Sequence, residues 1–88
     1  MTERSVTIVN KLGIHARPAA EIVKLASRFR SDITLVRDDL EVNGKSIMGV
    51  IMLAAERGAT IVLRAEGEDS DAALDALTAL VAERFGES

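Results

Sequence analysis

The chain has no cysteine, no tryptophan and no tyrosine. Without cysteine there is no disulfide, no thiol nucleophile and no thiolate metal site, a composition that suits the cytoplasm. The only aromatic residues, Phe29 and Phe85, both fit helix-core positions. That leaves no platform for stacking bases. The formal net charge of −3 argues further against nucleic acid as a partner. The longest unbroken apolar run, Val50 to Ala55, is far shorter than the ~20 residues a membrane span needs, so no membrane insertion is expected. The opening Met-Thr-Glu-Arg leads straight into a strand-like segment, so no secretory leader is expected. One histidine without cysteine makes a weak metal site, and no metal or cofactor is expected.

Two scarce residues fall close together. The single histidine, His15, and the single proline, Pro18, lie in Gly13-Ile14-His15-Ala16-Arg17-Pro18-Ala19. An extended apolar segment gives way to a helical pattern at this point. Ala19, Ile22, Val23, Ala26 and Phe29 recur at three- and four-residue spacing, which predicts a helix from Ala16 to about Phe29. Pro18 lies in its first turn, where a missing N–H breaks no intrahelical bond. Gly13 can adopt backbone angles closed to other residues. His15 is therefore expected at or near the N-cap, beside unpaired backbone amides.

A helix N-terminus favours anions and disfavours imidazolium, so neutral imidazole is expected there. A neutral ring keeps the lone pair that attack on phosphorus requires. The amides of Ala16 and Arg17 can receive the phosphoryl oxygens, and the Arg17 guanidinium adds a fork of donors. Nucleophile, anion site and cation thus sit within a few residues. The residue types alone also allow plain helix punctuation around an ordinary histidine.

With 88 residues, 48% of them hydrophobic, the chain is read as one domain, residues 1–88, with a modest core. Strands are expected at Ser5–Val9, Ile33–Val36, Leu40–Val42 and Thr60–Glu66, from β-branched runs and alternation. A short helix is expected from Ser46 to Leu53, with Ser46 as N-cap. Its Val50 and Leu53 can face a core, which leaves Ile47, Met48 and Ile51 on another face, either as a docking surface or as further buried residues. Asp69 or Ser70 can cap a last helix carrying Ala73, Leu74, Leu77, Leu80, Val81 and Phe85 on one face. Lys11, Arg17, Lys24, Arg28 and Lys45 are read either as a patch at one end of the fold that steers an acidic protein partner or as scattered solvated charge. The order βαββαβα implies an α+β fold with helices on one face of an antiparallel sheet. On pattern alone, a small ligand-binding regulatory domain of the ACT type stays open.

The run Gly-Ile-His-Ala-Arg-Pro-Ala closely resembles the active-site signature of the HPr family, histidine-containing phosphocarriers of the bacterial phosphoenolpyruvate:sugar phosphotransferase system. Asn43-Gly44-Lys45-Ser46-Ile47-Met48-Gly49-Val50 resembles the family's second signature, and Glu66-Gly67-Glu68-Asp69 a further recurring stretch. The resemblance implies an open-faced β-sandwich: a four-stranded antiparallel sheet of order 1-4-2-3 with three helices on one face. It implies a monomeric, cytoplasmic phosphocarrier rather than a stand-alone enzyme. His15 would accept phosphate on Nδ1 from enzyme I and pass it to enzyme IIA domains, with Arg17 assisting. Ile47, Met48, Ile51 and Lys24 would dock both partners. Ser46 would be the target of an HPr kinase/phosphorylase, with a transcriptional regulator as a further partner. Asn10-Lys11-Leu12-Gly13 instead looks more like NPr, the nitrogen-branch paralogue with a regulatory IIA acceptor.

Overall fold

A computed structural model describes residues 1–87. Strand β1 (Thr2–Thr7) is followed by helix α1 (Ala16–Ala26), strands β2 (Asp32–Arg37) and β3 (Leu40–Asn43), and helix α2 (Ile47–Met52). Strand β4 (Thr60–Glu66), helix α3 (Ser70–Ala82) and a short 3₁₀ turn (Arg84–Gly86) complete the order. The four strands form one antiparallel sheet of order β1-β4-β2-β3. This is the α+β architecture of the sequence reading, with the strand order the family resemblance implied.

Alternation along the strands separates the two sheet faces. Ile61, Leu63 and Ala65 of β4, Ile33 and Leu35 of β2, Val42 of β3 and Val6 of β1 are buried on one face. Against them pack Ala19, Ile22 and Ala26 of α1 and Ala73, Leu74, Leu77 and Val81 of α3. The opposite face is polar. There the Arg64 guanidinium bridges Glu3 at 2.7 Å and Glu41 at 3.2 Å.

Three elements differ from the sequence expectation by more than one residue at an end. β1 starts earlier, at Thr2, and ends at Thr7, because its first residues pair with Val62–Ala65 while their exposed face is polar. Ile8 lies past the strand but still bonds Ala59 O at 2.9 Å and the Gly58 amide at 2.8 Å. α1 stops at Ala26 rather than near Phe29. Its trailing amides tighten to three-residue bonds, Arg28 N to Leu25 O and Phe29 N to Ala26 O, both 3.1 Å. Lys45 Nζ then takes the Phe29 carbonyl at 2.8 Å.

The third difference lies at the C-terminal end. Phe85 is buried, but not on the face of α3, which ends at Ala82. Arg84, Phe85 and Gly86 have φ of 57°, 55° and 78°, so the chain turns left-handedly here, and the Phe85 ring joins the hydrophobic core. The expected cap of α3 also works differently. Asp69 occupies the N-cap position, but its carboxylate makes no cap bond. It accepts instead from the backbone amides of Arg30 at 2.8 Å and Ser31 at 2.9 Å.

Candidate functional site

The turn that delivers His15 is built by Asn10 and Gly13. Gly13 N bonds Asn10 O at 3.2 Å, and the fully buried Asn10 side chain donates back to Gly13 O at 2.7 Å. Gly13 has φ +70°, and a Cβ there would come within 2.5 Å of the Ala55 carbonyl oxygen. Only glycine satisfies both conditions without displacing backbone. Ile14 is buried and its amide bonds Ala55 O at 2.8 Å, which pins the next residue in place.

That next residue is His15, the N-cap of α1, with extended backbone angles (φ −93°, ψ −169°) and no side-chain cap bond. Its carbonyl accepts the first intrahelical bond from Ala19 N at 3.0 Å. The ring is therefore not consumed in capping. Its side chain is 38% exposed. Among the described residues, the amides of Ala16 and Arg17 find no acceptor. Pro18, in the same turn, has no amide to satisfy and is buried. Arg17 is exposed beside the ring's helix end.

A carboxylate also reaches the ring, and the sequence reading missed it. Glu87 lies 72 positions along the chain, with Oε1 and Oε2 each 3.1 Å from His15 Nε2. Asn10 Nδ2 donates to the same Glu87 Oε1 at 3.0 Å. The hydrogen bond with His15 first, then the one from Asn10 and the charge of Arg17, hold the Glu87 carboxyl below the usual carboxylate range. No local pattern marks this contact. The one hint was the Phe-Gly pair after α3, which can end a helix and turn the chain.

The second expected region is also assembled. Ser46 is the N-cap of α2, and its hydroxyl accepts from the Gly49 amide at 3.2 Å. Val50 and Leu53 are buried, while Ile47, Met48 and Ile51 are exposed, as the three-residue spacing predicted. Met52, at the end of the same helix, and Leu12, in the loop before His15, are also exposed apolar residues. α2 packs against α1 and β3, and Lys24 lies exposed in the last turn of α1. Arg37 closes the far end of α2 by donating to Leu53 O at 3.1 Å and Ala54 O at 2.8 Å.

Residues 2–83 match the family model "PTS HPr component phosphorylation site". The chain belongs to the HPr family. It is 51% identical to the phosphocarrier protein HPr of Cupriavidus necator, an alignment covering 99% of this chain and 98% of that one. It is 48% identical to the phosphocarrier protein NPr of Shewanella violacea, over 98% and 94% of the two chains. A crystal structure of HPr from Thermoanaerobacter tengcongensis superposes with a TM-score of 0.96 at 45% identity, covering 100% of this chain and 99% of that one. As an HPr family member the chain is a phosphocarrier of the phosphotransferase system and not a stand-alone catalyst. This membership removes the ACT-type alternative.

Proposed function

We propose that this HPr family member accepts a phosphoryl group on His15 Nδ1 from phospho-enzyme I and passes it to enzyme IIA domains. The observation that carries this reading is the position of one ring. His15 sits at the N-cap of α1 without capping it, beside the free amides of Ala16 and Arg17. Nε2 is engaged by Glu87, which leaves Nδ1 for the phosphoryl group. The three phosphoryl oxygens would meet the two amides, the positive end of the helix and the Arg17 guanidinium. Such a site stabilises charge on a transferring group without performing bond chemistry of its own.

Ile47, Met48 and Ile51, with Lys24 on the neighbouring helix, form the docking surface for both partners. Exposed adjacent apolar side chains in so small a protein support that role. Ser46 is the regulatory position, modified by an HPr kinase/phosphorylase. A phosphate there would add about −1.5 to −2 charges beside the apolar patch. It would favour the helix N-terminus while repelling acidic partner surface. A transcriptional regulator is a further partner of the modified form. The carrier works as a cytoplasmic monomer in the sugar branch, and the match to HPr from Cupriavidus necator supports that branch over the nitrogen one.

The test is direct. Incubation with enzyme I, magnesium and phosphoenolpyruvate should yield an acid-labile, base-stable phosphoryl adduct. His15→Ala should abolish it. An adduct that persists in this variant would place the site elsewhere.

A further inference from the structure

We infer that Arg37 is a positioning residue for phosphoryl transfer: by clamping the carbonyls just past α2, it holds the segment on which the His15 turn is seated. This deepens the proposed function and rests on His15 being the acceptor.

Alternation along β2 aims the Arg37 side chain. Ile33 and Leu35 are buried against the helices, and Arg37 follows at the same two-residue spacing. Its guanidinium leaves the strand on the helix side and is half-buried there. It meets the end of α2. Leu53 is the C-cap of that helix, and Ala54 follows with φ +48°. A left-handed residue after a C-cap is usually glycine. Alanine keeps that conformation only where surrounding contacts over-determine it. Arg37 supplies such contacts. Nη1 donates to Leu53 O at 3.1 Å and to Ala54 O at 2.8 Å, while Nη2 pairs with Glu56 Oε1. One planar group thus spans residues 53 to 56.

Inside that span lies Ala55. It is buried, and its carbonyl accepts from the Ile14 amide at 2.8 Å. Gly13 lies against the same carbonyl, so closely that a Cβ would come within 2.5 Å of it. The turn before His15 is therefore held from two sides. Asn10 fixes it internally, and Arg37 fixes the backbone it rests on. A shift of the Ala55 carbonyl would move Ile14, and with it the His15 ring relative to the free amides of Ala16 and Arg17. Misplacing a reacting group by about 1 Å can cost roughly 100-fold in rate. Docking should be spared. Ile47, Met48 and Ile51 lie on a helix started by Ser46, whose cap bond to Gly49 does not involve Arg37. In this role Arg37 forms no bond to phosphorus and exchanges no proton.

The experiment compares the full-length protein with Arg37→Met and Arg37→Lys. Methionine keeps an apolar stem and loses every donor, whereas lysine keeps charge and donors without the fork. Phosphorylation by enzyme I should show kcat reduced about tenfold in Arg37→Met and about two- to threefold in Arg37→Lys, with KM for the carrier unchanged. Hydrogen exchange gives a second readout. In Arg37→Met the Ile14 amide should exchange about tenfold faster relative to the Leu63 amide, which lies in the sheet between β1 and β2. A role confined to overall stability would speed both amides alike. Melting curves identify any variant whose fold has suffered, and Arg37→Lys then carries the comparison. Unchanged kcat in both variants, a loss carried wholly by KM, or equal acceleration at Ile14 and Leu63 would overturn the inference. His15→Ala tests the acceptor itself, so an adduct surviving there marks failure of the function and not of this role.

Discussion

The carboxylate of Asp69, at the head of α3, holds the start of β2 through Ser31. It accepts from the Ser31 backbone amide at 2.9 Å and also from the Ser31 hydroxyl. The two residues are 38 positions apart, and Ser31 is buried. Gly67 makes room for the contact, since a Cβ there would lie 2.6 Å from Ser31 Oγ.

This contact predicts a pH dependence. The Ser31 hydroxyl first, then the Arg30 amide, lower the Asp69 carboxyl from the ordinary 3.8 to about 2. A carboxyl whose folded value lies below its unfolded one stabilises the fold above the unfolded value. That contribution is complete above about pH 4 and fades as pH falls towards about 2. Urea titrations of the wild type and Asp69→Ala across this range should therefore converge on acidification. A gap that stays constant from pH 5 to pH 2 would refute the assignment.

Gly13→Ala should damage the site through its backbone. The new Cβ meets the Ala55 oxygen at 2.5 Å and Glu56 Cα at 2.8 Å, at a φ of +70°. A loss of roughly 1–3 kcal/mol in urea unfolding is expected, because both strain and steric overlap must be relieved. The rate of His15 phosphorylation should fall further than stability alone explains. A variant that unfolds and transfers like the wild type would show that the turn yields freely.

Docking and packing should separate on α2. Met48 is 69% exposed, whereas Val50 is fully buried. Met48→Asp should leave unfolding within about 0.5 kcal/mol of the wild type, since no core contact is lost. It should raise the KM for enzyme I by tenfold or more, as expected for a polar group in an apolar interface. Val50→Ala should do the reverse, costing roughly 2 kcal/mol of stability with little change in KM. Equal kinetics for Met48→Asp and wild type would remove the patch from the docking surface.

Ser46 combines a cap with the proposed regulation, and two substitutions divide them. Ser46→Ala removes the acceptor of the Gly49 amide and should cost about 1 kcal/mol in unfolding. Ser46→Asp restores an acceptor and adds negative charge. It should be as stable as the wild type yet slower in phosphotransfer to His15. Transfer at the wild-type rate by Ser46→Asp would count against regulation at this position.

The legible parts of the protein are the short-range ones. The N-cap placement of His15, the N-cap of α2 at Ser46 and the inward Val50 and Leu53 all depend on residues a turn apart. β4 matched from Thr60 to Glu66 because its residues alternate between a buried apolar face and an outer face that carries Thr60, Arg64 and Glu66. β1 was misplaced because its pairing partner, not its own composition, decides where it starts. Phe85 was assigned to α3 by spacing alone, although the helix ends before it.

The amino-acid order by itself therefore determined a helix beginning at a histidine, with an anion-ready first turn, since helix bonds and caps join near neighbours. It also determined which side of each element is apolar. Only the tertiary structure decided that Asn10 and Glu87 stand behind that histidine, and that Asp69 holds Ser31 instead of capping its own helix. Those contacts join residues far apart in the chain, and their geometry comes from the path the packed sheet and helices impose.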